Sequence, residues 1–206
     1  MVLVIWLAVQ VCALAVSAAR IRLWASAPQA SEQLALAVLL AAQIGSASLL
    51  MPRLLASGRS TLIAIVTAWP LGELASFLAD QPLARFIAAQ AYVSVCLLGL
   101  YCWTRVIRRP TAQLYASALA IMASAGGAVL WYLHLEFATG VGGMQWSSAS
   151  LFGPVLGAIS LLCPGNVTWR PWVIPGGILA SALICVFVRG RLAAPSTPIH
   201  PHATGR

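Results

Sequence analysis

Few residues in this chain could do chemistry, and their types are restrictive. Its 206 residues hold four acids (Glu32, Glu73, Asp80 and Glu136), three histidines (His134, His200 and His202) and five scattered cysteines. General acid–base catalysis needs titratable groups brought together, and so sparse a set points away from an enzyme. A bis-histidine haem needs two imidazoles facing each other inside a bundle. Only His134 lies near an apolar segment, at its edge, so no haem is expected. His200 and His202 are the one local pair of metal-ligand types, and they fall in a Pro-, Ala- and Thr-rich tail. The cysteines form no C-x-x-C pair. Neither a metal site nor a cofactor is expected. All twelve basic residues are arginine, which removes lysine Schiff-base chemistry as well.

The acids inside apolar sequence are more informative. Glu73 and Asp80 are seven residues apart, which places them on one helical face about two turns apart. Arg85 follows across the Gln81-Pro82 turn, within reach of Asp80. A charge at bilayer depth costs at least ~2.5 kcal/mol on insertion scales, so such groups face a bundle interior, water or a partner. Gly153 and Gly157 form a G-x-x-x-G pair that lets helix backbones approach closely. Packing within the chain and packing against another subunit are both compatible with it.

The elements that must position these residues follow from composition. Hydrophobic residues make up 61% of the chain and charged residues 8%, against roughly 25% charged in ordinary globular proteins. Mean hydropathy is +0.90. The apolar runs are continuous rather than alternating, which excludes a transmembrane β-barrel. The expected fold class is all-α, a polytopic membrane bundle of six or seven transmembrane helices occupying residues 1–191, followed by a disordered tail, 192–206. The apolar runs are Val2–Ala19, 34–51, 61–79, 85–103, 112–135, 148–163 and 172–188. The third carries Trp69, Pro70, Gly72 and Glu73 at its centre, where proline removes a backbone donor. A kinked span, a broken hairpin and an interfacial helix are its three possible forms, and a departure from a straight helix is predicted. Arginines do not fix the orientation: with seven spans, Arg53, Arg59, Arg105, Arg108, Arg109 and Arg170 fall on one side and the other six on the other, and six spans tie as well. The net charge of +8 has no soluble domain to sit on, so nucleic acid is not an expected partner.

The stretch Leu50-Met51-Pro52-Arg53-Leu54-Leu55-Ala56-Ser57-Gly58-Arg59-Ser60-Thr61-Leu62, leading to Thr67-Ala68-Trp69-Pro70-Leu71-Gly72-Glu73, resembles the cytoplasmic segment of permeases of the type-2 ATP-binding-cassette exporter family. Arg108-Arg109-Pro110-Thr111-Ala112 is similar to the Arg-Arg-Thr-x-x-Ala loop preceding a later helix of that family. Phe152-Gly153-Pro154, the break at Trp169 to Trp172 and a last helix closing on Arg189 and Arg191 resemble its ending. The likeness touches about half the chain. It departs at Ser57-Gly58-Arg59-Ser60, where the family carries a Glu-Arg pair, and in the short spacing from Pro70 to Arg108. The resemblance implies contact with a separate ATPase through Arg53, Arg59, Trp69 and Glu73.

The expected protein is therefore a non-catalytic integral membrane subunit, half of a permease dimer working with an ATPase. The alternative is an accessory or anchor subunit of a large respiratory or photosynthetic membrane complex, without haem. Other membrane subunits and lipid are the expected partners, and the bacterial cytoplasmic (inner) membrane is the expected location.

Overall fold

The computed structural model describes residues 1–23, 28–78, 81–138, 153–162 and 169–192, and among these the chain is helical throughout, with no strand. Six long helices make the bundle: α1 (Val2–Leu23), α2 (Pro28–Leu49), α4 (Gly58–Leu78), α5 (Leu83–Val106), α6 (Pro110–Ala138) and α8 (Val173–Leu192). Two are short, α3 (Met51–Leu54) and α7 (Pro154–Ser160), and a single 3-10 turn, Arg170–Trp172, leads into α8. Prolines mark the starts: Pro28, Pro110 and Pro154 occupy first helical positions, where the missing N–H has no intrahelical partner to lose. Ser57 caps α4, its Oγ accepting from the Ser60 N–H at 3.1 Å, which supplies one orphan donor of the first turn. The predicted tail beyond Leu192 and Asp80 lie outside the described residues.

Val2–Ala19, Gly58–Leu78, Leu83–Val106 and Arg170–Arg189 are long and apolar enough to cross a bilayer, and α2 adds the shorter apolar stretch Leu36–Leu49. Large side chains on their outer faces, such as Val4, Leu62, Phe77, Leu119 and Ile184, are exposed, as expected where lipid rather than water is the solvent. The chain is an integral membrane protein of the all-α class.

Contacts between helices and short connections give their directions. α1 ends only five residues before α2 begins and packs along it, Gln10 meeting Ser46, so the two are antiparallel. Trp69 of α4 meets Ser94 of α5 and Gly58 at the start of α4 meets Tyr101 near the end of α5, so α4 and α5 are antiparallel too. By contrast α5 and α8 run the same way: Tyr92 packs on Trp172 with ring centroids 5.7 Å apart, Gly99 on Ile178, and Arg189 donates to the Val106 carbonyl. Thus α1, α4 and α6 run one way, and α2, α5 and α8 the other. A Cβ on Gly99 would lie 2.8 Å from Ile178 Cγ2 and 3.3 Å from the Leu179 nitrogen, so glycine is what allows α5 and α8 to touch through backbone.

The third apolar run is one unbroken helix with Pro70 inside it, so its hairpin form does not occur. Pro70 withholds the donor that the Val66 carbonyl would otherwise accept, while Thr67 Oγ1 bonds within the preceding turn, to Ile63 O at 2.7 Å and Ala64 O at 3.2 Å.

The sixth apolar run behaves differently. Gly153 abuts the Ala123 carbonyl, where a Cβ would come within 2.7 Å, and Ala123 is near the middle of α6. Ala138 lies about 22 Å further along that helix at 1.5 Å per residue. From this mid-depth start α7 passes Tyr92 at Gly157, and Leu162 O then accepts from Arg85 Nη1 at 3.4 Å, at the start of α5. α7 is therefore a half-depth element returning to the end at which α6 finishes, and it makes no crossing. That removes the arginine tie. Arg53, Arg59, Arg105, Arg108, Arg109, Arg189 and Arg191 gather where α2, α5 and α8 finish, while Arg20, Arg22, Arg85 and Arg170 lie toward the opposite end. Glu32, Glu73 and Glu136 also fall in that opposite half.

Candidate functional site

The arginine-rich end is built by three short connections held on one another. Thr104 Oγ1, near the end of α5, donates to the Leu55 carbonyl just after α3 at 3.0 Å. Gln113 Nε2, in the first turn of α6, donates back to the Ile107 carbonyl at 2.7 Å and to the Thr104 carbonyl at 3.3 Å. These bonds satisfy carbonyls that the end of α5 leaves without helical partners. They clamp α3, the α5–α6 corner and the start of α6 into one unit. Gly58 completes it: a Cβ there would lie 3.2 Å from the Tyr101 hydroxyl. Between α3 and the corner is a cavity of about 440 Å³ lined by Pro52, Ala56, Thr104, Arg105, Arg108 and Gln113. Arg105 is folded over Tyr101, with its Nε donating to the phenol oxygen at 3.2 Å and its guanidinium carbon 5.4 Å from the ring centroid.

The sequence-predicted coupling residues do not form one surface. Arg53 and Arg59 are exposed at the arginine-rich end, beside this unit. Trp69 is on the same helix as Arg59 but about 15 Å further along, and Glu73 about 21 Å. Trp69 is half-buried inside the bundle: its Nε1 donates to Ser94 Oγ at 3.2 Å, and its ring meets Phe86 edge-on at 6.0 Å. Glu73 is exposed on the outer face of α4. Arg85 sits at the far end of the bundle, half-buried and donating to Leu162 O. Gly153 and Gly157 are both buried within the chain, against α6 and Tyr92 respectively. Among the described residues no group of three or more His, Cys, Asp or Glu is arranged to hold a metal ion.

Sequence reasoning passed over the polar chain at the bundle's centre. Gln10, Gln43 and Gln90 are each fully buried. Gln10 Nε2 donates to Ser46 Oγ at 3.0 Å, Gln43 Nε2 reaches the Ala68 carbonyl at 3.4 Å, and Gln90 Nε2 reaches Gln43 Oε1 at 3.4 Å. Four helices, α1, α2, α4 and α5, are joined through these amides. A signal existed in the sequence: each is a lone amide in an apolar run, and such polar groups are tolerated where they face the interior of a bundle.

The arrangement is that of a helical membrane bundle whose polar side chains are spent on holding helices together, with a cationic rim at one end. No protein-family model, curated protein or solved structure matches the chain.

Proposed function

We propose that the chain is a non-catalytic membrane subunit serving as the permease half of an ATP-driven exporter in a bacterial cytoplasmic membrane, with its arginine-rich end in the cytoplasm. One observation carries this reading: residues 50–62 and 108–112, which bear the resemblance to cytoplasmic elements of exporter permeases, lie at a single end of the bundle, where the end of α5 bonds to the first stretch through Thr104–Leu55 and packs on it through Gly58–Tyr101. That end also holds the arginine majority, which the positive-inside rule places in the cytoplasm, where a separate ATPase would be. The coupling surface in this reading is Arg53 and Arg59 with the α5–α6 corner. Trp69 and Glu73 lie too deep along α4 to belong to it.

A photo-crosslinking residue at Ser57, expressed in the native host, tests this. A crosslink to an ATPase, with ATP hydrolysis by the purified pair lowered by Arg53→Gln and Arg59→Gln, is the expected result. Crosslinks to other membrane subunits alone, with no ATPase, would replace it with the accessory-subunit reading.

A further inference from the structure

We propose that the cavity between α3 and the α5–α6 corner is a binding site for a phosphate group, carried by an anionic lipid headgroup or by a soluble phosphate. This stands independently of the exporter reading. The cavity, about 440 Å³, has room for more than a bare ion, and none of its lining residues is acidic. Nor does any acid occur in residues 50–60 or 101–114, the segments that build it. Its polar lining is divided between frame and cations. Thr104 and Gln113 already donate to backbone carbonyls, which leaves the guanidinium groups of Arg105 and Arg108 as the free charge. Arg105 is held in place by Tyr101 through its Nε, leaving its terminal nitrogens for a ligand. Arg108 is exposed and makes no hydrogen bond or ion pair among the described residues. Guanidinium groups pair with phosphate oxygens in two-pronged hydrogen bonds. The cavity also lies where α6 begins at Pro110, and the positive end of a helix favours an anion. A basic pocket between helices at the edge of a membrane bundle suits an anionic headgroup, and Pro52 and Ala56 supply an apolar wall for its glycerol portion.

The test uses the purified full chain in a neutral detergent. Phosphatidylglycerol, phosphatidylcholine and inorganic phosphate are titrated separately, with thermal stability and native mass spectrometry as readouts. Phosphatidylglycerol raising Tm and remaining bound, with phosphatidylcholine doing neither, supports a lipid source. Inorganic phosphate raising Tm to a similar degree supports a soluble one. In either case Arg105→Gln/Arg108→Gln should weaken apparent affinity about tenfold or more, while Arg170→Gln, exposed at the opposite end of the bundle, leaves it unchanged. Because Arg105 also braces Tyr101, Arg108→Gln alone is the second variant, with the ligand-free Tm unchanged and affinity reduced. Anion-independent stability, or an anion effect that survives in the double variant or is lost equally in Arg170→Gln, would overturn the proposal.

Discussion

Gln90 rests its side-chain oxygen on the backbone of Gly72: a methyl group built there would lie 2.7 Å from Gln90 Oε1 and 2.8 Å from Phe86 Cε2. Neither neighbour is free to withdraw, since both are buried and Gln90 is bonded to Gln43. The glycine immediately before Glu73 thus sets how closely α4 and α5 approach. Gly72→Ala should destabilise the bundle by about 1–3 kcal/mol, the usual cost of overpacking. Thermal unfolding in mild detergent measures it; an unchanged Tm would show that the two helices can part without loss.

Tyr92 offers a sharper case. It is fully buried, its hydroxyl has no hydrogen-bond partner among the described residues, and it sits directly on Gly157. A buried hydroxyl without a partner lowers stability. Tyr92→Phe is therefore expected to be neutral or stabilising by up to about 1 kcal/mol. Gly157→Ala is expected to lower Tm, and Tyr92→Phe to recover part of that loss in the double variant. Additive effects would mean that the two residues do not touch.

The amide chain can be apportioned by a double-mutant cycle on Gln43→Leu and Gln90→Leu. Interhelical hydrogen bonds in membranes average about 0.6 kcal/mol and reach about 1.7 kcal/mol. The 3.4 Å separation of this pair places its coupling at the lower figure. Equilibrium unfolding of the four proteins gives the value, and zero coupling would assign the glutamines to separate, local roles.

Orientation is checked by single cysteines in a cysteine-free background. Ser57→Cys, in the exposed turn before α4, and Trp169→Cys, exposed ahead of the 3-10 turn, lie at opposite ends. With the arginine-rich end in the cytoplasm, a membrane-impermeant maleimide labels position 169 in intact cells and position 57 only in inside-out vesicles. The reverse pattern would invert the orientation, and labelling of both from one side would contradict the half-depth course of α7.

Much of the fold was legible in the residues themselves. Long apolar runs need helices, because in hydrocarbon a backbone must satisfy its own hydrogen bonds. Every one of the seven runs contains a helix in the structure. The arginines at 105, 108 and 109 and the proline at 110 mark the α5–α6 corner in both. Gly153 and Gly157 announced close packing, since a missing side chain has the same meaning wherever its partner comes from.

What covers a residue depends on distant parts of the chain, and tertiary structure alone decided it. Whether 148–163 crosses or turns back rests on Gly153 meeting Ala123 and Leu162 meeting Arg85, contacts between residues far apart in sequence. That one element determines the side on which α8 ends, and so converts an arginine tie into seven against four among the described residues. The same holds for Trp69 and Arg59. Pro70 left a break in the sequence open. The unbroken α4 instead holds Trp69 and Arg59 apart by the rise of the helix, packed along α5 through Trp69 on Ser94 and Gly72 on Gln90, contacts that only the tertiary structure makes.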